Sequence, residues 1–193
     1  MATAIVLHGR GHGVALTRAL MVERLGLPAL EYVVPVSAGD TWYPASFLAP
    51  LADNAPDLDA AIARVLGISD ALVATGVPLA AQAIVGFSQG ACLACEAVFR
   101  AGRRLGALVA FTGGLVGPRG TAWAAADGAL AGMPVLLGGS REDPFVPAWR
   151  MAETAEAMQR RGAHVDFTLF EGAAHVIEEP QVLAARSLLA ALG

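Results

Sequence analysis

Short, continuous apolar runs alternate along the chain with longer segments in which apolar positions recur every three or four residues. The runs at 4–7, 29–34, 82–86, 107–111, 135–138 and 164–170 read as strands. Most lack the apolar–polar alternation of a half-exposed sheet, and an unbroken run is what a parallel strand covered on both faces requires. Segments 14–25, 58–75, 89–101, 148–161 and 178–192 read as helices. Gly26, Gly76, Gly102 and Gly162 follow helical segments, where a helix closes on a left-handed residue. Pro147 and Pro180 stand where first-turn prolines belong. This alternation predicts an α/β fold: a mainly parallel sheet with helices on both faces, in a single domain over residues 1–193.

Two stretches break the rhythm. Residues 35–56 carry Trp42, Tyr43, Pro44, Phe47, Pro50 and Pro56, and residues 113–132 are rich in Gly and Ala. Each is too long for an ordinary strand–helix connection, so each is expected to be a functional loop or a small lid.

Composition narrows the function. Hydrophobic residues make up 55 % of the 193 and charged residues 16 %, which suits a well-buried globular domain. The net charge of −4, with no run of Lys or Arg, argues against nucleic acid as a partner, because phosphate binding needs a basic face. The pairs Arg103-Arg104 and Arg160-Arg161 fall near predicted helix ends, where they would complement the helix dipole. The two cysteines, Cys92 and Cys95, have redox-motif spacing. They lie inside a predicted helix with no further Cys to complete a zinc site, so they are read as small core residues. No basic stretch leading into an apolar segment opens the sequence, and no apolar run reaches the ~20 residues a bilayer span needs. The expectation is a cytoplasmic protein without a signal peptide or membrane span.

Gly86-Phe87-Ser88-Gln89-Gly90 fits G-x-S-x-G, and it stands after one apolar run and before a helix. The serine of such an elbow occupies a sharp, strained turn that thrusts its hydroxyl into a cleft. Side chains two residues to either side would collide there, so glycine occupies both places. Serine needs a base to take its proton, and an elbow of this kind takes acid and then histidine from later loops. Of the four histidines, His175 follows the last strand in the loop 171–175, whereas His164 lies at that strand's opposite end. The acid is sought after the preceding strand, in Ser140-Arg141-Glu142-Asp143-Pro144. Glu142 and Asp143 both qualify; Asp143 is preferred because Asp-Pro fixes a turn and presents the carboxylate rigidly. His8-Gly9-Arg10-Gly11, after the first strand, can aim a backbone N–H at a developing oxyanion, together with the N–H that follows Ser88.

Together, the segments 7–11, 86–91 and 143–147 and His175 resemble the phospholipase/carboxylesterase family of α/β-hydrolases, which includes the acyl-protein thioesterases. The resemblance runs nearly end to end. It implies a compact α/β-hydrolase fold, with Ser88, Asp143 and His175 as triad and the backbone N–H groups of Arg10 and Gln89 as oxyanion hole. Trp42-Tyr43 resembles the Trp–aromatic pair beside that family's acyl pocket, and Phe47 in the same loop is a further substrate-binding candidate. His12 departs from the family, where Asp or a second Gly often stands, and is expected to be a solvated loop histidine. The loop 42–56 replaces the longer insertion of the thioesterases.

The implied activity is hydrolysis of small to medium-chain carboxylic esters through an acyl-enzyme on Ser88, a chemistry that requires no metal or organic cofactor. An acyl-protein thioesterase or a lysophospholipase would share this machinery. A non-catalytic binding protein on the same fold would be expected to have lost part of it. The expected partner is a small-molecule ester, and homodimers are common among such relatives.

Overall fold

A computed structural model of the chain describes residues 1–123 and 127–192. Residues 124–126, inside the 113–132 stretch, and residue 193 lie outside the described residues.

Six strands form one sheet in the order β2-β1-β3-β4-β5-β6, and every pairing is parallel. They are β1 (Thr3–Leu7), β2 (Glu31–Val33), β3 (Gln82–Phe87), β4 (Ala107–Phe111), β5 (Pro134–Ser140) and β6 (His164–Phe170). Successive side chains of a strand point to opposite faces, so burying both faces requires every position to be apolar. Ile5, Leu7, Ile84 and Leu108 join one core, and Ala4, Val6, Val85 and Val109 join the other. The helices α4 (Asp57–Ala74), α5 (Gln89–Ala101) and α6 (Ala148–Arg160) cover the first face. The second face is covered by α7 (Glu179–Ala190) and a helical run made of α1 (Val14–Thr17), a π turn (Arg18–Val22) and α2 (Glu23–Leu25). This three-layer arrangement is the α/β-hydrolase fold.

The sequence-derived elements need few adjustments. The run 29–34 pairs only over Glu31–Val33, and the first helix relaxes into a π turn at its middle. Pro147 precedes the helix as its N-cap, whereas Pro180 does sit in the first turn of α7, beside a reciprocal Glu178–Gln181 cap. The stretch 35–56 contains a short helix, α3 (Leu51–Asn54), which polar residues and prolines concealed.

Two arginines are not surface charges. Arg150 is wholly buried and donates to the carbonyls of Leu115, Gly117 and Pro118, with its guanidinium 4.5 Å from the Trp123 ring centroid. It thereby gives hydrogen-bond partners to an irregular stretch that has no ladder of its own. Arg161 was expected to complement a helix dipole. Instead it is buried, bonds Asp127 and the Phe99 carbonyl, and lies over the Phe99 ring.

Candidate active site

The loops at the carboxyl ends of β1, β3, β5 and β6 converge on a cavity of about 510 Å³. This is the size of a small-molecule site, at the edge of a parallel sheet where such sites form.

Ser88 stands between β3 and α5 with φ 54° and ψ −120°, a left-handed conformation that costs a side-chain-bearing residue of order 1–3 kcal/mol. The strain is held by close backbone packing. Its N–H donates to the Phe111 carbonyl at 3.0 Å, and its own carbonyl receives the Cys92 N–H at 3.0 Å. A Cβ on Gly86 would fall on the Gly90 carbonyl. One on Gly90 would fall on the Leu7 carbonyl and within 2.5 Å of the His8 carbonyl oxygen. The second glycine of the elbow is therefore required by β1 as well as by the turn itself.

His175 Nε2 lies 2.9 Å from Ser88 Oγ, and His175 Nδ1 lies 2.7 Å from Asp143 Oδ2. The Asp143 side chain is fully buried, and its other oxygen accepts the N–H groups of Phe145 and Val146, each at 2.8 Å. Those two bonds are the turn chemistry that Asp-Pro supplies. Glu142 is exposed, and the backbone beside it ties the acid loop to the histidine loop through its N–H on the Gly172 carbonyl at 3.0 Å. The His175 loop is further tied down by the Ser140 hydroxyl, which donates to the Ala174 carbonyl. With Nδ1–H directed at a carboxylate, the imidazole presents a lone pair to the serine hydroxyl, which is the arrangement that proton abstraction needs.

Neither the Arg10 nor the Gln89 N–H has a backbone acceptor among the described residues. Gln89 opens α5, where first-turn N–H groups have no intrahelical partner. The side chains of the same two residues grip the neighbouring loop. Arg10 donates to the carbonyls of Tyr43, Pro44 and Ala45, each at 2.9 Å. Gln89 accepts the Trp42 N–H at 3.0 Å and donates to the Tyr43 carbonyl at 2.8 Å. No sequence pattern announced these two grips.

The aromatics of that loop divide. Tyr43 and Phe47 line the cavity. Trp42 does not: it is 4 % exposed, stacks on His8 with ring centroids 4.5 Å apart, and donates its indole N–H to the His8 carbonyl at 2.9 Å. A loop aromatic can be buried wherever another ring receives its face, and His8 does so here, buried itself and bonded to Gly9 and Ser37. His12 also departs from expectation. It is half-buried, lies over Phe87 at 5.7 Å and lines the cavity. Burial, and then the nearby His8 and His175, push its pKa below the ordinary histidine value. Phe145, unmarked by sequence reasoning except for its place after Asp143-Pro144, is 66 % exposed at the mouth, its ring 5.0 Å from that of His175 in a T-shaped arrangement.

Cys92 forms part of the cavity floor, and burial raises its thiol to about 12. Among the described residues no cluster of three His, Cys, Asp or Glu could hold a metal, and no helix is long and apolar enough to cross a membrane.

The phospholipase/carboxylesterase family model matches residues 1–192. Among solved structures, the chain is similar to a phospholipase/carboxylesterase from Dyadobacter fermentans, with 32 % identity, a TM-score of 0.89, and coverage of 98 % of this chain and 89 % of that one. Esterase PE8 follows at 24 % identity and TM-score 0.73, covering 100 % of this chain and 93 % of its own. Acyl-protein thioesterase 2 from Zea mays aligns at 22 % identity and TM-score 0.74, covering 100 % and 94 %. No curated protein matches the chain.

Proposed function

This chain belongs to the phospholipase/carboxylesterase family of α/β-hydrolases, and within it we propose a serine carboxylesterase acting on small to medium-chain esters. The observation that carries the reading is the continuous relay from Ser88 Oγ through His175 to Asp143, at 2.9 and 2.7 Å, opening on one cavity.

On this reading Ser88 Oγ attacks the ester carbonyl carbon while His175 Nε2 takes the hydroxyl proton. The carbonyl π electrons move onto oxygen, and the N–H groups of Arg10 and Gln89 receive the oxyanion. The carbon–alkoxide bond then breaks, and His175 returns the proton to the departing alcohol. A water molecule, deprotonated by the same nitrogen, attacks the acyl carbon; the carbon–Oγ bond breaks, His175 returns the proton to Ser88 Oγ, and the acid leaves. Asp143 holds the imidazole tautomer and stabilises imidazolium throughout. Positioned proton transfer contributes ~10²–10⁴-fold, and each oxyanion donor ~10²–10³-fold.

The wall of Tyr43 and Phe47 is gripped at its backbone by Arg10 and Gln89, which favours a short, stiff acyl site. Each buried CH₂ adds ~0.8 kcal/mol only until such a site is full. A fluorophosphonate is expected to label the protein at Ser88, as read by mass spectrometry. On p-nitrophenyl esters, kcat/KM should rise from acetyl to about butyryl or hexanoyl and then fall. Labelling elsewhere, or equal labelling of Ser88→Ala, refutes the nucleophile. Rates still climbing at palmitoyl would instead favour a lysophospholipase or acyl-protein thioesterase.

A further inference from the structure

His12 has chemistry that the relay does not use. Its ring rests on Phe87 at 5.7 Å, and Phe87 in turn lies 5.0 Å from the His175 ring, so the two imidazoles share one aromatic partition. His12 lines the same cavity as Ser88 and His175. Its Nδ1 is buried above Gly9 and has no hydrogen-bond partner among the described residues, which leaves Nε2 as the ring's open nitrogen. Its burial and its two histidine neighbours favour the neutral ring.

A neutral imidazole carries a single proton. A buried N–H without an acceptor is rarer in proteins than a buried acceptor without a donor, so the proton belongs on Nε2 and the lone pair on buried Nδ1. His12 is thereby fixed as a hydrogen-bond donor. The departing alcohol oxygen must come within reach of His175 Nε2 to be protonated, and His12 shares with His175 both the Phe87 ring and the cavity, which puts the alcohol half of a bound ester in the neighbourhood of the donor. Arg10 cannot take this role with the same freedom, since its guanidinium is committed to three carbonyls of the 43–45 loop.

We propose that His12 is a specificity residue for the alcohol half of the substrate, selecting esters whose alcohol carries an ether or hydroxyl oxygen close to the scissile bond. An acceptor oxygen there satisfies the N–H. A hydrocarbon at the same place displaces water from it and offers nothing in return, and that asymmetry creates the discrimination. The inference rests on the esterase reading above.

The test compares 2-methoxyethyl butyrate with n-butyl butyrate, in which one oxygen is exchanged for one CH₂ and the acyl group is constant. His12→Phe keeps a ring on Phe87 and removes the donor, so Ser88 in this variant should remain labelled by a fluorophosphonate. The ratio of kcat/KM for the ether ester over the alkyl ester should fall about threefold to tenfold relative to wild type, the range of one neutral hydrogen bond. His12→Gln, which restores an N–H donor, should recover part of the ratio. An unchanged ratio in a labelled, active His12→Phe enzyme overturns the inference and leaves the esterase reading standing. Loss of labelling in His12→Phe also overturns it, because His12 would then support the relay itself. A wild-type protein that neither labels at Ser88 nor cleaves either ester overturns both.

Discussion

Replacing Gln89 by Leu keeps the backbone N–H beside Ser88 and removes only the grip of the side chain on the 41–43 segment. The Gln89 side chain is buried and takes part in three hydrogen bonds: from the Trp42 N–H at 3.0 Å, from the Thr41 hydroxyl at 3.2 Å, and to the Tyr43 carbonyl at 2.8 Å. The three losses are unequal. The Tyr43 carbonyl keeps Arg10 and the Thr41 hydroxyl as donors, and Thr41 keeps that carbonyl as acceptor. The Trp42 N–H is left buried and alone, which costs about 1–3 kcal/mol, and the weakened remainder adds about 1 kcal/mol. For a chain of this size a loss of about 2–4 kcal/mol lowers Tm by roughly 5–15 °C. Differential scanning fluorimetry reads this directly. Steady-state kinetics should show a raised KM for butyryl esters, because the wall carrying Tyr43 and Phe47 loosens, while phosphonate labelling of Ser88 persists. A Tm within about 1 °C of wild type together with an unchanged KM would refute the claim that this side chain holds the wall.

Asp143→Asn should lower kcat by ~10⁴, because the amide cannot hold the productive imidazole tautomer, whereas Glu142→Gln should stay within a few-fold of wild type. The reverse ranking in a pre-steady-state assay would mean that the carboxylates were assigned wrongly. For the thiols, burial raises Cys92 to about 12, so at pH 8 only about one molecule in 10⁴ carries the reactive thiolate. Cys95 is shifted well upward by burial as well. Both should resist a disulfide reagent at pH 8 in the native protein and react promptly in guanidinium. Slow native reaction should accelerate as pH rises toward 12, and stoichiometric labelling at pH 8 at the rate of a free thiol would contradict the burial.

What the sequence made legible was what local pattern controls. Residues 107–111 and 164–170 match their strands end for end: the first is an unbroken apolar run that opens after Gly106, and the second alternates polar and apolar side chains between Gly162 and Gly172, as a half-exposed edge strand does. That Ser88, Asp143 and His175 come together was readable because their order along the chain follows from strand–loop topology, and each sits at a strand exit. Trp42, Arg150, Arg161 and His12 were not readable, and the reason is common to all four. Their placement depends on a partner distant in sequence: His8 for Trp42, the 115–118 carbonyls for Arg150, Asp127 for Arg161, and Phe87 for His12. Residue type predicts exposure only on average, and a charged or aromatic side chain with a suitable partner follows the partner.

The contact between Gly90 and the end of β1 has a consequence for how such an enzyme can change. The start of α5 meets the Leu7 and His8 carbonyls main chain against main chain, with no side chain between them. The approach of β1 to the start of α5, on which the two N–H groups assigned to the oxyanion ride, is thus set by backbone packing rather than by an intervening side chain. The cavity walls are side chains, by contrast, and the loop beneath Tyr43 and Phe47 is anchored by its carbonyls and an N–H, whatever residues it bears. Variation at 43–47 can therefore redraw the cavity walls while the packing of Gly90 against the end of β1 stays where it is. A library confined to those positions, with Gly86 and Gly90 held fixed, would be expected to yield altered selectivity at nearly constant Ser88 reactivity.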